Sequence, residues 1–158
     1  MGKQMLDREI IDSKLRFLKE YLTDLEEYET ISLNDYRQNK KDQRFVERTL
    51  QLACGSCLDA AAHLVSRLGF REARDNKDLF VILFENGVIS ESTSQAMVKM
   101  SKFRNILVHD YARIDPEIVI GILKKDVRDF TAFASEIIRF LDTDTRINPQ
   151  NRGSQEQL

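Results

Sequence analysis

Apolar residues at Ile11, Leu15, Leu18, Leu22 and Leu25 recur at spacings of 4, 3, 4 and 3. That is the period at which one stripe of an α-helix faces a neighbour, and Arg, Lys, Glu and Asp flank it. About three heptads are too few for a long coiled coil, but they suffice for packing against another helix or a twin chain. The same period returns downstream. A second helix is predicted from about Gln43 to Leu68, with Phe45, Thr49, Leu52, Ser56, Ala60 and Leu64 on one stripe. Its middle, "ACGSCLDAAA", is a run of small residues that lets another backbone approach, and Gly69 supplies the stop. Between these helices "TISLNDYRQNKKDQ" breaks the period and reads as a linker.

"KDLFVILFENG" would suit a strand or a short helix by period alone, but no second strand candidate exists to pair with it. A helix ended by Gly87 is therefore predicted. Ser90 or Ser92 caps a fourth helix that places Met97, Met100 and Phe103 on one side. Asp115 as cap and Pro116 at the first helical position open the last helix, which carries Val119, Leu123, Val127, Phe130, Phe133, Ile137 and Leu141. The expected fold is all-α, an up-down bundle of four to five helices over residues 1–141, with a polar, disordered tail over 142–158.

No stretch approaches the roughly 18 apolar residues of a membrane span. The first residues are charged and lack an apolar signal core, and Leu stands sixth, where a myristoylation site favours Ser or Thr. A cytoplasmic protein with two reduced cysteines is expected, with no membrane association. Its formal charge is 24 − 26 = −2, so any nucleic-acid site must rest on a local patch.

Cys54 and Cys57 form a C-x-x-C, but a zinc site needs two more ligands and a redox pair favours a helix N-terminus. Buried core thiols are the better reading, and a helix-face histidine is the better reading of His63. "KKDQR" and "KKDVR" mix signs and read as solvated faces. No phosphate-cradling glycine loop or nucleophile elbow occurs.

"FRNILVHDYARID" stands apart. Lys99, Lys102, Arg104 and Arg113 against Asp110 give 4 − 1 = +3 over residues 97–113. A bland reading makes this a helix C-terminus complementing its dipole, with Ile106, Leu107 and Val108 as core. In an unbroken helix Arg104 and His109 differ by five steps of about 100°, so convergence needs a helix end or bend near His109, or a second chain. The chemistry of the set is coherent. Imidazole shuttles protons near neutral pH, and arginine holds a phosphate while charge develops on it. RNA brings its own nucleophile in the 2′-OH, so no metal or cofactor is needed. His109 and Arg104 are the predicted catalytic pair, with Asn105 and Tyr111 in support and Lys99, Lys102 and Arg113 drawing in the RNA.

"RNILVHDY" resembles the signature of the HEPN superfamily, and the tyrosine two residues after the histidine resembles its HepT-like branch. "FVERTLQLACGSCLDAAAHLVSRLGF", "LFENGVISESTSQAMVKMSKFRNILVHDY" and "DPEIVIGILKKDVRDFTAFASEI" are similar to HepT-like segments in order and spacing. The resemblance implies a homodimer whose two motifs face one cleft, and a ribonuclease toxin acting on an RNA, with tRNA and mRNA both open. It also implies a minimal nucleotidyltransferase antitoxin that adenylylates Tyr111. The alternative is a non-catalytic nucleotide- or nucleic-acid-binding module serving the same partner.

Overall fold

A computed structural model describes residues 2–110 and 114–144, with side chains from residue 8 onward. Every regular element among them is helical: α1 Gly2–Glu26, α2 Leu33–Gln38, α3 Lys40–Arg67, α4 Asp78–Glu85, α5 Glu91–His109, α6 Pro116–Gly121 and α7 Val127–Thr143. A π-helical turn, Ile122–Asp126, joins α6 to α7 without a break.

The up-down order is visible in the cross-contacts. Lys14 pairs with Asp59 at 3.4 Å and the Tyr28 ring meets Phe45 at 5.8 Å, so α1 and α3 run antiparallel. Arg8 on α1 reaches Asp142 on α7 at 2.7 Å. The carboxylate of Glu136 on α7 accepts from the Ser90 N–H at 2.6 Å and from the Thr93 hydroxyl. That contact fixes the start of α5, the helix carrying the motif.

The helix stops are those the sequence predicts. Gly69 (φ +68°) and Gly87 (φ +72°) take the left-handed conformation after α3 and α4. After α3, Phe70 N–H reaches Val65 O at 3.1 Å and Gly69 N–H reaches Ser66 O at 3.3 Å. After α4, Val88 N–H reaches Leu83 O at 2.9 Å and Gly87 N–H reaches Phe84 O at 3.1 Å. Both are Schellman closures, which satisfy carbonyls that a helix end leaves orphaned. Ser90 caps α5 through the Thr93 N–H, and Asp115 caps α6 through the Glu117 N–H with Pro116 following.

Two expectations need correction, and one open alternative is decided. The supposed linker holds α2 and the start of α3. Ser32 and Asn39, taken there as helix breakers, are N-caps accepting from the Asp35 and Asp42 N–H groups at 3.0 and 3.1 Å. Tyr36 on this short helix is fully buried. On α3 the predicted stripe is rotated, because Phe45 is 44% exposed while Val46, Leu50, Ala53 and Cys57 fill the core. Thr49, Ser56, Ala60 and Leu64 are also buried, so α3 is covered over a wide arc and has no single seam. Finally, the N-terminal stripe is spent inside the chain. Ile11, Leu15, Leu18 and Leu25 are all buried in the common core, so of the two roles open to this stripe it takes packing against the chain's own helices.

The same core holds Phe80 and Phe133 in an edge-to-face pair at 5.6 Å, together with Met97, Phe130, Ile137 and Leu141. Each such side chain contributes roughly 1.5–3 kcal/mol through removal from water.

Candidate active site

The motif lies on the last turns of α5, which stays helical through His109. Asp110 closes the helix, its N–H reaching Ile106 O at 2.9 Å. The helix therefore ends at His109 but does not bend before it. Five steps of about 100° put Arg104 and His109 roughly 140° apart around the axis, and about 7.5 Å apart along it.

The two side chains accordingly have different surroundings. His109, Asn105, Lys102 and Lys99 are exposed. Together with Gln95 and the 44%-exposed Ile106 they form a polar, cationic ridge along the outer face. Arg104 lies on the inner flank, toward α3, and is half-buried. Its Nε is out of solvent and meets no hydrogen-bond acceptor among the described residues. Of the apolar triplet only Leu107 is core. Ile106 faces outward and Val108 is half-buried, so the expectation of three core residues is corrected to one. Tyr111 and Arg113 fall outside the described residues.

Beneath Arg104 stand the two cysteines, both free and buried. Burial pushes the Cys54 thiol up to about 12, partly offset by the positive charge of Arg104. Burial also pushes Cys57 up, with Cys54 adding to it. This suits neutral core thiols. His63 is half-buried on α3. Lys124, Lys125 and Arg128 are exposed, as a solvated face requires. Among the described residues no group of three or more His, Cys, Asp or Glu is placed to hold a metal ion, and no helix is long and apolar enough to cross a membrane.

A groove of about 430 Å³ that sequence reasoning missed runs between α5 and the α6–α7 helix. Met100, Phe103 and Ile122 form its floor, with Lys99, Asp126 and Asp129 at its rim. Burial, with Asp126 adding to it, raises the Asp129 carboxyl above its ordinary value, while Arg128 and Lys99 oppose the shift. Its walls come from separate segments, so only the α5 wall shares a period with the motif.

A helical bundle that sets an arginine with no carboxylate partner among the described residues, an amide and an imidazole at the end of one helix has the layout of a HEPN-type RNA-cleaving enzyme. Residues 18–137 match the family described as ribonuclease HepT-like, and the chain belongs to that family. Among similar proteins, a tRNA nuclease HepT of Aphanizomenon flos-aquae is 29% identical over 134 residues, covering 85% of this chain and 91% of the relative. An mRNA nuclease HepT of Shewanella oneidensis is 30% identical over 104 residues, 66% of this chain and 78% of the relative. The solved structure of a tri-AMPylated Shewanella oneidensis HEPN toxin in complex with MNT antitoxin is also similar. It superposes with a TM-score of 0.76 at 27% identity, covering 82% of this chain and 97% of that one.

Proposed function

We propose that this chain is the toxin half of a toxin–antitoxin pair, an endoribonuclease that works as a homodimer. The observation that carries the reading is the unbroken course of α5 to His109. One chain turns its arginine inward and its histidine outward, so a complete site takes Arg104 from one copy and His109 from the other. The end of α5, from the ridge of Lys99, Lys102, Asn105 and Ile106 round to the flank that carries Arg104, is the surface on which RNA and the second copy meet. The α1 stripe is used inside the chain, and the exposed end of α5 is the contact this reading assigns to the second copy.

In the reaction His109 takes the proton of the RNA 2′-OH, and the 2′-oxygen attacks the adjacent phosphorus. The P–O5′ bond breaks, its electron pair stays on O5′, and a proton returns there. Arg104 holds the phosphoryl oxygens as charge grows on them, with Asn105 and Tyr111 in support and Lys99, Lys102 and Arg113 drawing the strand in. The products are a 2′,3′-cyclic phosphate and a 5′-hydroxyl, formed without a metal. The similar Shewanella toxin is AMPylated and bound to an MNT antitoxin. By that likeness a minimal nucleotidyltransferase silences this chain by adenylylating Tyr111.

The test is cleavage of tRNA and mRNA by wild type, Arg104→Ala and His109→Ala, all in EDTA. Cyclic-phosphate ends from the wild type alone support the reading. Cleavage lost in EDTA but kept in His109→Ala overturns the mechanism. Absence of cleavage by any of the three favours a binding module, and an adenylyl mass increment on Tyr111 after co-purification with the partner supports the toxin reading.

A further inference from the structure

Arg104 has an unusual seat for a phosphate-holding residue. Its Nε is buried without an acceptor among the described residues, although buried donors are nearly always paired. By contrast, Arg71 on the surface is bound to both Asp78 and Glu85. One turn before Arg104 lies Met100, whose carbonyl is the acceptor the helical pattern assigns to the Arg104 N–H. Cys54, 2% exposed on α3, donates its thiol to that same carbonyl at 3.8 Å. The α3 thiol is therefore seated against the turn of α5 that carries the arginine.

A guanidinium that must catch a phosphate has to be fixed in place yet left uncompensated. A buried carboxylate would fix it and neutralise it together. A thiol is a weak donor that stays uncharged, so it can hold a backbone carbonyl of the arginine's helix without competing for the arginine's charge.

We propose that Cys54 is a positioning residue for Arg104: its thiol on the Met100 carbonyl fixes the turn that aims the guanidinium, leaving the charge free for an RNA phosphate. This rests on the reading of Arg104 as the phosphate-holding group. Cys54→Val keeps nearly the same volume and removes the S–H donor, whereas Cys54→Ser keeps a donor.

The measurements are kcat and KM on RNA, the melting temperature, and the ¹H–¹⁵N resonance of Arg104 Nε in labelled protein. Cys54→Val is expected to lower kcat about tenfold at unchanged KM, the sign of an interaction made in the transition state. Cys54→Ser should restore kcat to within about twofold, and Cys54→Val should cost nothing further in an Arg104→Ala background. The Nε resonance should move in the valine variant and stay in place in the serine variant. A Cys54→Val protein with a lowered melting temperature but unmoved kcat and Nε resonance would overturn the proposal, as would an equal rate loss without Arg104. If the wild type cleaves no RNA, the nuclease reading fails, while the Nε resonance still decides whether Cys54 fixes Arg104.

Discussion

If Arg104 of one copy serves His109 of the other, two crippled variants should make one live site. In Arg104→Ala the histidines remain, and in His109→Ala the arginines remain. Removing the imidazole is expected to cost 10²–10⁴-fold in rate. Removing the guanidinium is expected to cost roughly 3–4 kcal/mol of transition-state stabilisation, by analogy with loss of an oxyanion donor. Each homodimer is then slowed at least about a hundredfold but not silenced. In the mixed dimer, one cleft pairs the surviving arginine with the surviving histidine, and the other cleft has lost both. Two-fold symmetry thus predicts about half the wild-type rate for the purified heterodimer. The geometry behind the number is the rotation of roughly 140° between positions 104 and 109 on an unbroken helix. The assay is co-expression with two different tags, tandem purification, and RNA cleavage in EDTA. A heterodimer as inactive as its parents, with wild type active under the same conditions, would refute the crossed arrangement.

Other perturbations reach the fold and the surface. Arg71 donates to Asp78 at 2.7 and 2.9 Å, and the Arg74 N–H adds a third contact at 3.0 Å. Chiefly through Arg71, these hold the Asp78 carboxyl well below the usual carboxylate range. Because the folded pKa is depressed, the stabilisation is fully present above the unfolded value of about 4, declines below it, and is lost only as pH falls through the depressed folded value. Asp78→Asn is therefore expected to cost about 1 kcal/mol at pH 7, after solvent screening, and clearly less at pH 2, by denaturant titration at both. Phe133→Ala, which empties a fully buried site against Phe80, should cost about 3–5 kcal/mol by the same titration. At pH 8 Cys54, with its thiol at about 12 and 2% exposed, should resist thiol reagents in the native protein and react at once in guanidinium. Lys102→Ala should weaken RNA binding across sequences and reduce the salt slope of binding by about 1.

Much of this fold was legible because its punctuation is local. Gly69, Gly87, Ser90, Asp115 and Pro116 each act within one helical turn, so their roles can be read from neighbours in sequence. Helix α2 escaped because six residues are too few to show a period, and Ser32 and Asn39 serve equally as breakers and as caps. The α3 stripe was drawn too narrowly, with Phe45 wrongly inside it, because small residues surround that helix and periodicity loses contrast when nearly every side is covered. At the site, the motif gave the residue types and correctly foresaw that Arg104 and His109 face different ways. It could not show that Ile106 is outward, that Cys54 bonds the Met100 carbonyl one turn before Arg104, or that a groove lies beside α5. Those facts depend on segments separated by tens of residues.

The π-helical turn at Ile122–Asp126, where the Val127 N–H reaches back five residues to Ile122 O, bears on how the gene can change length. One codon inserted into an α-helix rotates everything after it by about 100°, which here would swing Phe130, Phe133 and Ile137 out of the core. A π turn absorbs one extra residue locally, so α7 keeps its register against α5. Deleting a single residue within 122–126 can therefore convert the turn to plain α-helix with the downstream core kept in place. The same deletion within 128–140 would displace that core. Tolerance to single-codon deletion should thus peak sharply at this turn in a scan along the last helix.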